Sequence, residues 1–189
     1  MMKSPKVLIV IGLVAVLAAL LLYYPQKMGE EPKIPAGTTS IELIENFYRQ
    51  YLAADNQGKL SMHLPFSESF QHMIEQNNQL CQEKAKEDVC GWASDGFVYL
   101  NIQEVDPALN FANSNFKISS PSPTIVDVEI DIQPSAKRNT EYSKRKFRYL
   151  MKLEDDRWVV DDVLQNGVSA RQLMQEEKEF YTTPENEEP

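Results

Sequence analysis

The feature that most constrains this chain is an uninterrupted apolar run close to its amino terminus. Residues 7–24, VLIVIGLVAVLAALLLYY, hold 18 consecutive positions without a charge or a proline. A helix of that length extends about 27 Å, which is close to the thickness of the hydrocarbon core of a bilayer. Because a helix pairs its own backbone donors and acceptors, it is the structure that such a segment adopts in lipid. The run therefore predicts a single transmembrane helix over residues 7–24.

The charges around the run predict its orientation. Lys3 and Lys6 precede it, and basic residues are retained on the cytoplasmic side of a spanning helix. We therefore expect residues 1–6 in the cytoplasm, the helix in a bacterial inner membrane, and the rest of the chain in the periplasm. A cleaved signal peptide is the alternative, but its apolar region would be shorter and would end in small residues. This run ends in leucines and two tyrosines, which is typical of a retained anchor.

The sequence after the run predicts one folded domain with two flanking segments. Residues 25–38 contain three prolines and two glycines and are interpreted as a linker. Residues 39–181 are long enough for one domain with a hydrophobic core. Residues 182–189 are acidic and are predicted to form a disordered tail.

The net charge of the chain indicates which classes of molecule the domain can bind. The whole chain carries a formal charge of −9, and the domain is more acidic still because Lys3 and Lys6 lie before the apolar run. An acidic surface repels phosphate backbones and anionic lipid headgroups, so nucleic acid is excluded as a partner. The same surface favours a basic protein.

Helical periodicity predicts two helices in the first part of the domain. Thr39 and Glu42 form the pattern of a capping box, and apolar residues then recur at helical spacing. This helix is expected to end in the polar stretch at residues 55–58. A second helix is predicted to begin at Ser67 or Ser69.

The second part of the domain shows the alternation of a β-sheet, so the fold class predicted is α+β. After residues 97–102, which fit either a short strand or a helical turn, strands are predicted over residues 125–132, 143–153 and 157–164. The first two strands each have one apolar and one charged face, acidic in the first and basic in the second. If they are neighbours, the acids lie opposite the bases and help to set the pairing. A final helix is predicted over residues 169–180, with its first serine as the cap.

The two cysteines, Cys81 and Cys90, are predicted to form a structural disulfide if the domain lies in the oxidising periplasm. The alternative is a redox-active or nucleophilic thiol. Neither a C-x-x-C spacing nor a nearby histidine supports that alternative.

Large aromatic side chains are the candidates for lining a ligand pocket. Rings with polar tips suit a cavity, but they also suit a core, and both interpretations stay open. The candidate residues are Tyr48, Tyr51, Trp92, Tyr99, Phe147, Tyr149 and Trp158.

The residues that usually carry catalysis do not form a recognisable set. The chain has no phosphate-binding glycine loop, and its two histidines, His63 and His72, are separated by a proline and lie nine positions apart. Asp161 and Asp162 could act as a general acid, but adjacent strand residues face opposite sides, so a pair at the turn ending the strand is the favoured interpretation. We therefore predict no cofactor, no metal and no catalytic residues.

Two segments resemble those of small α+β domains of the NTF2-like (cystatin-like) superfamily. Residues 44–52, IENFYRQYL, are similar to an opening helix with an F-Y-x-x-Y-like core, and residues 157–163, RWVVDDV, to a closing strand. Within the superfamily the chain resembles the DUF3828 group of bacterial envelope proteins, which tends to share a central cysteine and an Asp-Pro turn, here Asp106-Pro107. The resemblance implies a strongly bent antiparallel sheet that wraps around the N-terminal helices and forms a cone. It implies no activity, since the superfamily includes enzymes, binding domains and scaffolds.

These observations favour a membrane-anchored periplasmic domain that binds a protein or a small ligand without catalysis. A specific version is an immunity-type inhibitor whose acidic surface matches a basic toxin. One alternative is a small hydrolase or isomerase that uses the interior of the cone. Another is a structural subunit of a cell-envelope complex.

Overall fold

The computed structural model describes residues 37–84, 90–92, 96–135 and 141–183. The predicted transmembrane helix and most of the predicted linker lie outside them, and no helix within them combines the length and the hydropathy needed to span a bilayer. The described residues form an α+β fold of four α-helices and five strands. In chain order the elements are α1 (Ser40–Ala53), α2 (Asn56–Ser61), α3 (Glu68–Lys84), β1 (Lys117–Ser122), β2 (Ile125–Asp131), a 3-10 turn (Glu141–Ser143), β3 (Lys144–Glu154), β4 (Arg157–Gln165), β5 (Val168–Ser169) and α4 (Ala170–Thr182).

The five strands form one antiparallel sheet in which each strand pairs with the next along the chain. The three predicted strands correspond to β2, β3 and β4, so the predicted antiparallel sheet is confirmed. β1 was not predicted because its sequence, KISSPS, belongs to a largely exposed edge strand without apolar alternation. Its Pro121 suits that edge, since proline cannot donate a hydrogen bond to a further strand. β5 has two residues and is too short to show a period.

The register of β2 against β3 confirms the predicted opposition of acidic and basic residues. Asp127 pairs with Arg148, and Glu129 pairs with Lys146. The Arg148 guanidinium donates to both carboxylate oxygens of Asp127, over 2.7 and 3.0 Å. Glu129 instead accepts from Lys117 of β1 over 2.8 Å. Each of these exposed pairs is weak because solvent screens it, and together they favour this register.

A β-bulge in β4 changes which side chains enter the interior. Leu150 pairs with Asp162 and Met151 pairs with Val160, so Asp161 is an extra residue with no partner in the register. A regular strand would place Val160 and Asp162 on one face and Val163 on the other, but all three are buried here. The predicted alternation of faces along this strand therefore holds only up to the bulge.

The first helix begins as predicted. Thr39 Oγ1 accepts from the Glu42 amide, and the Glu42 carboxylate accepts from the Thr39 amide, which completes the capping box. Residues 55–58 do end α1, but they also start the short helix α2, whose cap is Asp55 accepting from the Gly58 amide over 2.7 Å. A helix of six residues is too short for its periodicity to be recognised.

The structure shows which serines precede the helices α3 and α4. Ser67 rather than Ser69 precedes α3, and its hydroxyl accepts from the Phe70 amide over 3.1 Å. Ser169 caps α4 by accepting from the Gln172 amide over 3.1 Å, as predicted. α4 continues to Thr182, one residue into the predicted tail.

Turns occupy the described chain between α3 and β1. Residues 97–102 form a turn and not a strand. The Leu100 amide donates to the Phe97 carbonyl, as in a helical turn, and the Phe97 amide donates to the Ile102 carbonyl and closes the turn. Gly96 precedes it with a φ of +86°, and a Cβ there would lie 2.7 Å from the Ile102 carbonyl oxygen. The predicted turn at Asp106 is confirmed, since its carbonyl accepts from the Leu109 amide over 2.9 Å.

The core lies between the sheet and the helices. α1 packs against β1, β2 and β4, whereas α3 and α4 pack against each other and against β4. The predicted apolar stripe of α1 is the face it buries. The largest fully buried side chains are Tyr48, Tyr51, Tyr99, Tyr149, Phe70, Ile44, Leu100, Ile130, Ile132, Val126, Val160 and Val163.

Candidate functional site

Five of the seven candidate pocket residues meet in one cluster of rings at the centre of the fold. The ring centroids of Tyr51 and Tyr99 are 5.5 Å apart, and those of Tyr48 and Tyr149 are 6.4 Å apart. Phe147 stacks 6.3 Å from Tyr149. None of the five is more than 3% exposed. The structure therefore places these rings in the core.

The phenol groups of this cluster bond to one another and to the backbone. The Tyr48 hydroxyl lies 2.7 Å from the Tyr149 hydroxyl and donates to the Tyr99 carbonyl over 3.0 Å. The Tyr99 hydroxyl accepts from the Leu64 amide over 3.1 Å. Burial raises the pKa of all four phenols, Tyr51 included, well above the ordinary value. All four are neutral at physiological pH, and the hydroxyls of Tyr48, Tyr99 and Tyr149 are hydrogen-bonded, which suits a stabilising role better than proton transfer.

The two tryptophans lie apart from this cluster. Trp92 packs against Phe66 and Phe70, with centroid distances of 6.0 and 5.5 Å. Trp158 is half-buried on β4, where it pairs with Leu153 of β3. None of the seven candidate residues lines either of the two clefts described next.

A groove with a volume of about 260 Å³ lies between α3 and α4. Its apolar side chains are Met73 and Leu80, which are half-buried, and Met174, which is buried. The α3–α4 groove, as we call it, is rimmed by polar side chains, several of which are held by hydrogen bonds to a neighbouring turn of their own helix. The polar residues that line it are Gln76, Asn77, Gln79, Glu83, Gln175, Lys178 and Thr182.

The α4 half of this groove was missed by sequence reasoning. The sequence predicts the helix but assigns it no role. Met174, Lys178 and Thr182 recur every four residues on one face of α4 and line the groove. Only Met174 of the three is apolar, so this spacing gives no apolar stripe from which the groove could be predicted.

Glu177 joins three segments beside the groove. Its carboxylate accepts from Asn77 Nδ2 of α3 over 2.7 Å and from the Gly91 amide over 3.1 Å. The predicted disulfide between Cys81 and Cys90 is confirmed and lies next to it, with 5.5 Å between the two Cα atoms. The bridge and the carboxylate together hold α3, α4 and the segment 90–92 in one arrangement.

Asp161 binds the beginnings of two helices. Its Oδ1 accepts from Ser67 Oγ over 2.6 Å, from Ser69 Oγ over 3.2 Å and from Arg171 Nη2 over 2.8 Å. Burial alone raises the pKa of Asp161, but the hydrogen bond from Ser67 and the charge of Arg171 outweigh it, so the pKa lies below its ordinary value. An ionised carboxylate is also favoured there by the amino-terminal end of α3.

Asp162 is equally well bonded. Its Oδ2 accepts from Ser169 Oγ over 2.6 Å, and its Oδ1 accepts from the amides of Val163 and Arg171 over 2.8 and 3.2 Å. The interpretation of Asp161 and Asp162 as a pair ending a strand is wrong, because both lie inside β4 at the bulge. Their oxygens are occupied by the helix caps, which indicates a structural role.

A second cleft of about 260 Å³ lies where β1, β2 and β3 meet. It is lined by Lys117 and Lys144 and by Glu129 and Asp131. Lys117 is paired with Glu129 over 2.8 Å. Because two bases face two acids, the cleft has no excess charge that would select an anion or a cation.

The histidines form no site within the described residues. His72 lies 2.9 Å from the Gln76 side-chain nitrogen, and both His63 and His72 are exposed. The group of potential metal-ligating side chains found in this part of the chain contains neither of them.

Comparison of the chain with protein-family models, with curated proteins and with solved structures gives no match in any of the three.

Proposed function

We propose that the protein is a membrane-anchored envelope domain that binds another protein through the α3–α4 groove and catalyses no reaction. In this proposal residues 7–24 cross the inner membrane, residues 25–38 form the linker, and the folded part faces the periplasm. The observation that carries it is the groove itself. Accessible apolar side chains lie there between two helices that the disulfide and the half-buried carboxylate of Glu177 help to hold in place.

The packing of the interior supports binding at the surface. A ligand within the sheet would need space that the rings of Tyr48, Tyr51, Tyr99 and Tyr149 occupy, since none of these residues is more than 2% exposed. Three of their hydroxyls already bond within the protein. Opening such a space would expose several aromatic rings to water, and each exposed ring would lose about 2–3 kcal/mol of hydrophobic stabilisation.

The size of the groove supports a protein segment as the ligand. Pockets for drug-sized molecules enclose about 300–1,000 Å³, and the groove is smaller and open, at about 260 Å³. Two methionines and a leucine can adapt their shape to an apolar side chain of a partner. Side-chain amides around such a centre match the usual arrangement of an interface with an apolar middle and a polar rim.

The net charge of helices α3 and α4 as a whole supports a basic partner. α3 and α4 together contain six glutamates and three basic residues, and the whole chain carries −9. One of those basic residues, Arg171, is already paired with Asp161. Opposite charge on a partner would increase the association rate at low salt. A secreted basic toxin held by an immunity-type inhibitor is the specific version of this proposal.

The architecture supports a place in the NTF2-like superfamily and its DUF3828 group. α1 packs its aromatic face onto an antiparallel sheet whose strands follow one another in the chain. A bulge in β4 supplies the kind of distortion by which a sheet bends around a helix.

Reporter fusions test the location. Alkaline phosphatase joined to the carboxyl terminus should be active, because it folds only outside the cytoplasm, and green fluorescent protein at the same position should be dark. Bright fluorescence with inactive phosphatase would contradict the periplasmic assignment.

Photo-crosslinking tests the groove. We expect a photoreactive residue at Gln79 to capture a protein from envelope fractions at low salt, and the same residue at Tyr142, which is 84% exposed, to capture none. Replacing Gln76 and Gln175 by arginine should reduce the captured protein at least tenfold, since added positive charge repels a basic partner. Gln71→Arg is the matched control, because Gln71 is exposed on the same helix outside the groove. Equal losses in the control and in the double variant would contradict binding at the groove.

A further inference from the structure

The disulfide lies in a cluster of side chains that can act as metal ligands. The sulfurs of Cys81 and Cys90 and a carboxylate oxygen of Glu177 lie within 4.8 Å of one another. Cys90 is 8% exposed, and Cys81 and Glu177 are half-buried. Two sulfurs and a carboxylate are a donor set that suits Zn²⁺ when the sulfurs are thiolates.

A buried oxygen that accepts no hydrogen bond from the described residues lies beside these groups. Asn77 is 5% exposed, and its Nδ2 donates to Glu177, whereas no donor in the described part of the chain reaches its Oδ1. A Cβ placed on Gly91 would be 3.4 Å from this oxygen and 3.7 Å from Cys81 Sγ. The amide oxygen and the sulfur therefore face the same small space, which is kept open by the glycine. A buried polar atom without a partner lowers the stability of the fold, so a ligand bound by this oxygen would offset that loss.

We propose that reduction of the disulfide converts this cluster into a Zn²⁺ site with Cys81, Cys90, Glu177 and Asn77 as ligands. A dithiol reductant gives two electrons and two protons to the S–S bond, which becomes two thiols, and the reductant becomes a disulfide. Binding of Zn²⁺ then displaces the two thiol protons to water and leaves two thiolates on the metal. The same pair of residues is cross-linked in both states, by a covalent bond in one and by the metal in the other.

The hydrogen bonds around Glu177 prepare it for this role. Asn77 Nδ2 donates to one carboxylate oxygen and the Gly91 amide to the other, so the carboxylate is held toward the sulfurs. Outer groups that orient a ligand in this way commonly change metal affinity by about 10- to 100-fold. Asn77 also lines the α3–α4 groove, but the site does not depend on what the groove binds.

Zinc binding by the full-length protein in detergent tests the proposal. The protein is reduced with a phosphine, desalted without oxygen and titrated with Zn²⁺ against a chromophoric chelator. We expect one Zn²⁺ per reduced chain and none per oxidised chain. Cys81→Ser should abolish stoichiometric binding, and Glu177→Gln should weaken it at least tenfold. Glu176→Gln, a change of the neighbouring exposed residue, should leave the affinity unchanged.

Alkylation of the thiols gives an independent measurement. Zn²⁺ should slow the reaction of both cysteines with N-ethylmaleimide at least tenfold in the reduced wild-type protein, and circular dichroism should show the fold retained or restored when the metal is added. The proposal is overturned if the oxidised protein binds Zn²⁺ equally well, if Glu177→Gln matches the wild type, if the alkylation rates do not change, or if the reduced protein is unfolded with and without the metal.

Discussion

The hydroxyl oxygen of Tyr48 on α1 lies 2.7 Å from that of Tyr149 on β3, which joins helix and sheet at the centre of the core. The single hydrogen of Tyr48 is donated to the Tyr99 carbonyl, so Tyr149 must donate to Tyr48. The Tyr99 hydroxyl in turn accepts from the Leu64 amide. Hydrogen bonds between buried residues thereby connect four segments of the chain.

The direction of these bonds predicts unequal effects of removing the two hydroxyls. Tyr48→Phe leaves both the Tyr149 hydroxyl and the Tyr99 carbonyl without this partner, so it should lower the free energy of unfolding by about 2–3 kcal/mol. Tyr149→Phe removes only a donor to Tyr48 and should cost about 1 kcal/mol. Urea unfolding followed by circular dichroism measures both. Tyr142→Phe, at a position 84% exposed, is the control with no expected change. The reverse order of the two losses would contradict the assigned direction.

The same phenols predict instability in alkali. Burial raises the pKa of Tyr48, Tyr51, Tyr99 and Tyr149 in the folded protein, whereas an unfolded chain ionises them near pH 10. The folded state therefore binds more protons above that pH. Its stability should be unaffected by these groups below about pH 10 and should then fall by about 1.4 kcal/mol per pH unit for each phenol. Phenolate absorbance and circular dichroism should change together on raising the pH, and ionisation of all eight tyrosines in a protein that is still folded would contradict this.

The contacts of Asp161 predict different roles for two serines on one turn. Ser67 is fully buried and bonds both Asp161 and the Phe70 amide, so Ser67→Ala should cost about 2 kcal/mol through the lost helix cap and the lost charged hydrogen bond. Ser69 is exposed and its bond to Asp161 is 3.2 Å long, so Ser69→Ala should cost less than about 0.5 kcal/mol. Thermal unfolding of the two variants compares them directly. Equal losses of stability in the two variants would contradict the larger role assigned to the Ser67 hydroxyl.

The disulfide predicts a measurable loss of stability on its removal. Replacing both Cys81 and Cys90 by serine removes the cross-link that closes a loop of about 10 residues. The unfolded chain then gains conformational entropy, which should lower the free energy of unfolding by about 2.7 kcal/mol. Urea unfolding of the double variant against the oxidised wild type measures it. Denatured protein isolated without reductant should show no free thiol in the wild type. Two thiols per chain in that preparation would contradict both the bridge and an oxidising location.

Local sequence patterns predicted the helices and strands in which buried residues recur at a regular spacing. The capping box at Thr39, the apolar face of α1 and the alternation of β2 and β3 each arise from residues within one or two turns or pleats of one another. Such features are determined by neighbours in the chain, so an isolated sequence contains their signal. The pairing of Cys81 with Cys90 is predicted on a different ground, because the chain has two cysteines and an oxidising compartment is expected.

The tertiary structure alone decided the features that join distant residues. The bulge at Asp161 depends on the fit of β4 to β3 and to Ser67, which lies 94 positions earlier. The α3–α4 groove depends on Asn77 meeting Glu177 across 100 positions. Whether a tyrosine lines a pocket or fills a core likewise depends on what packs against it from elsewhere in the chain. The burial of such a residue depends on contacts with several distant segments of the chain. The spacing of residues within one segment therefore cannot predict it.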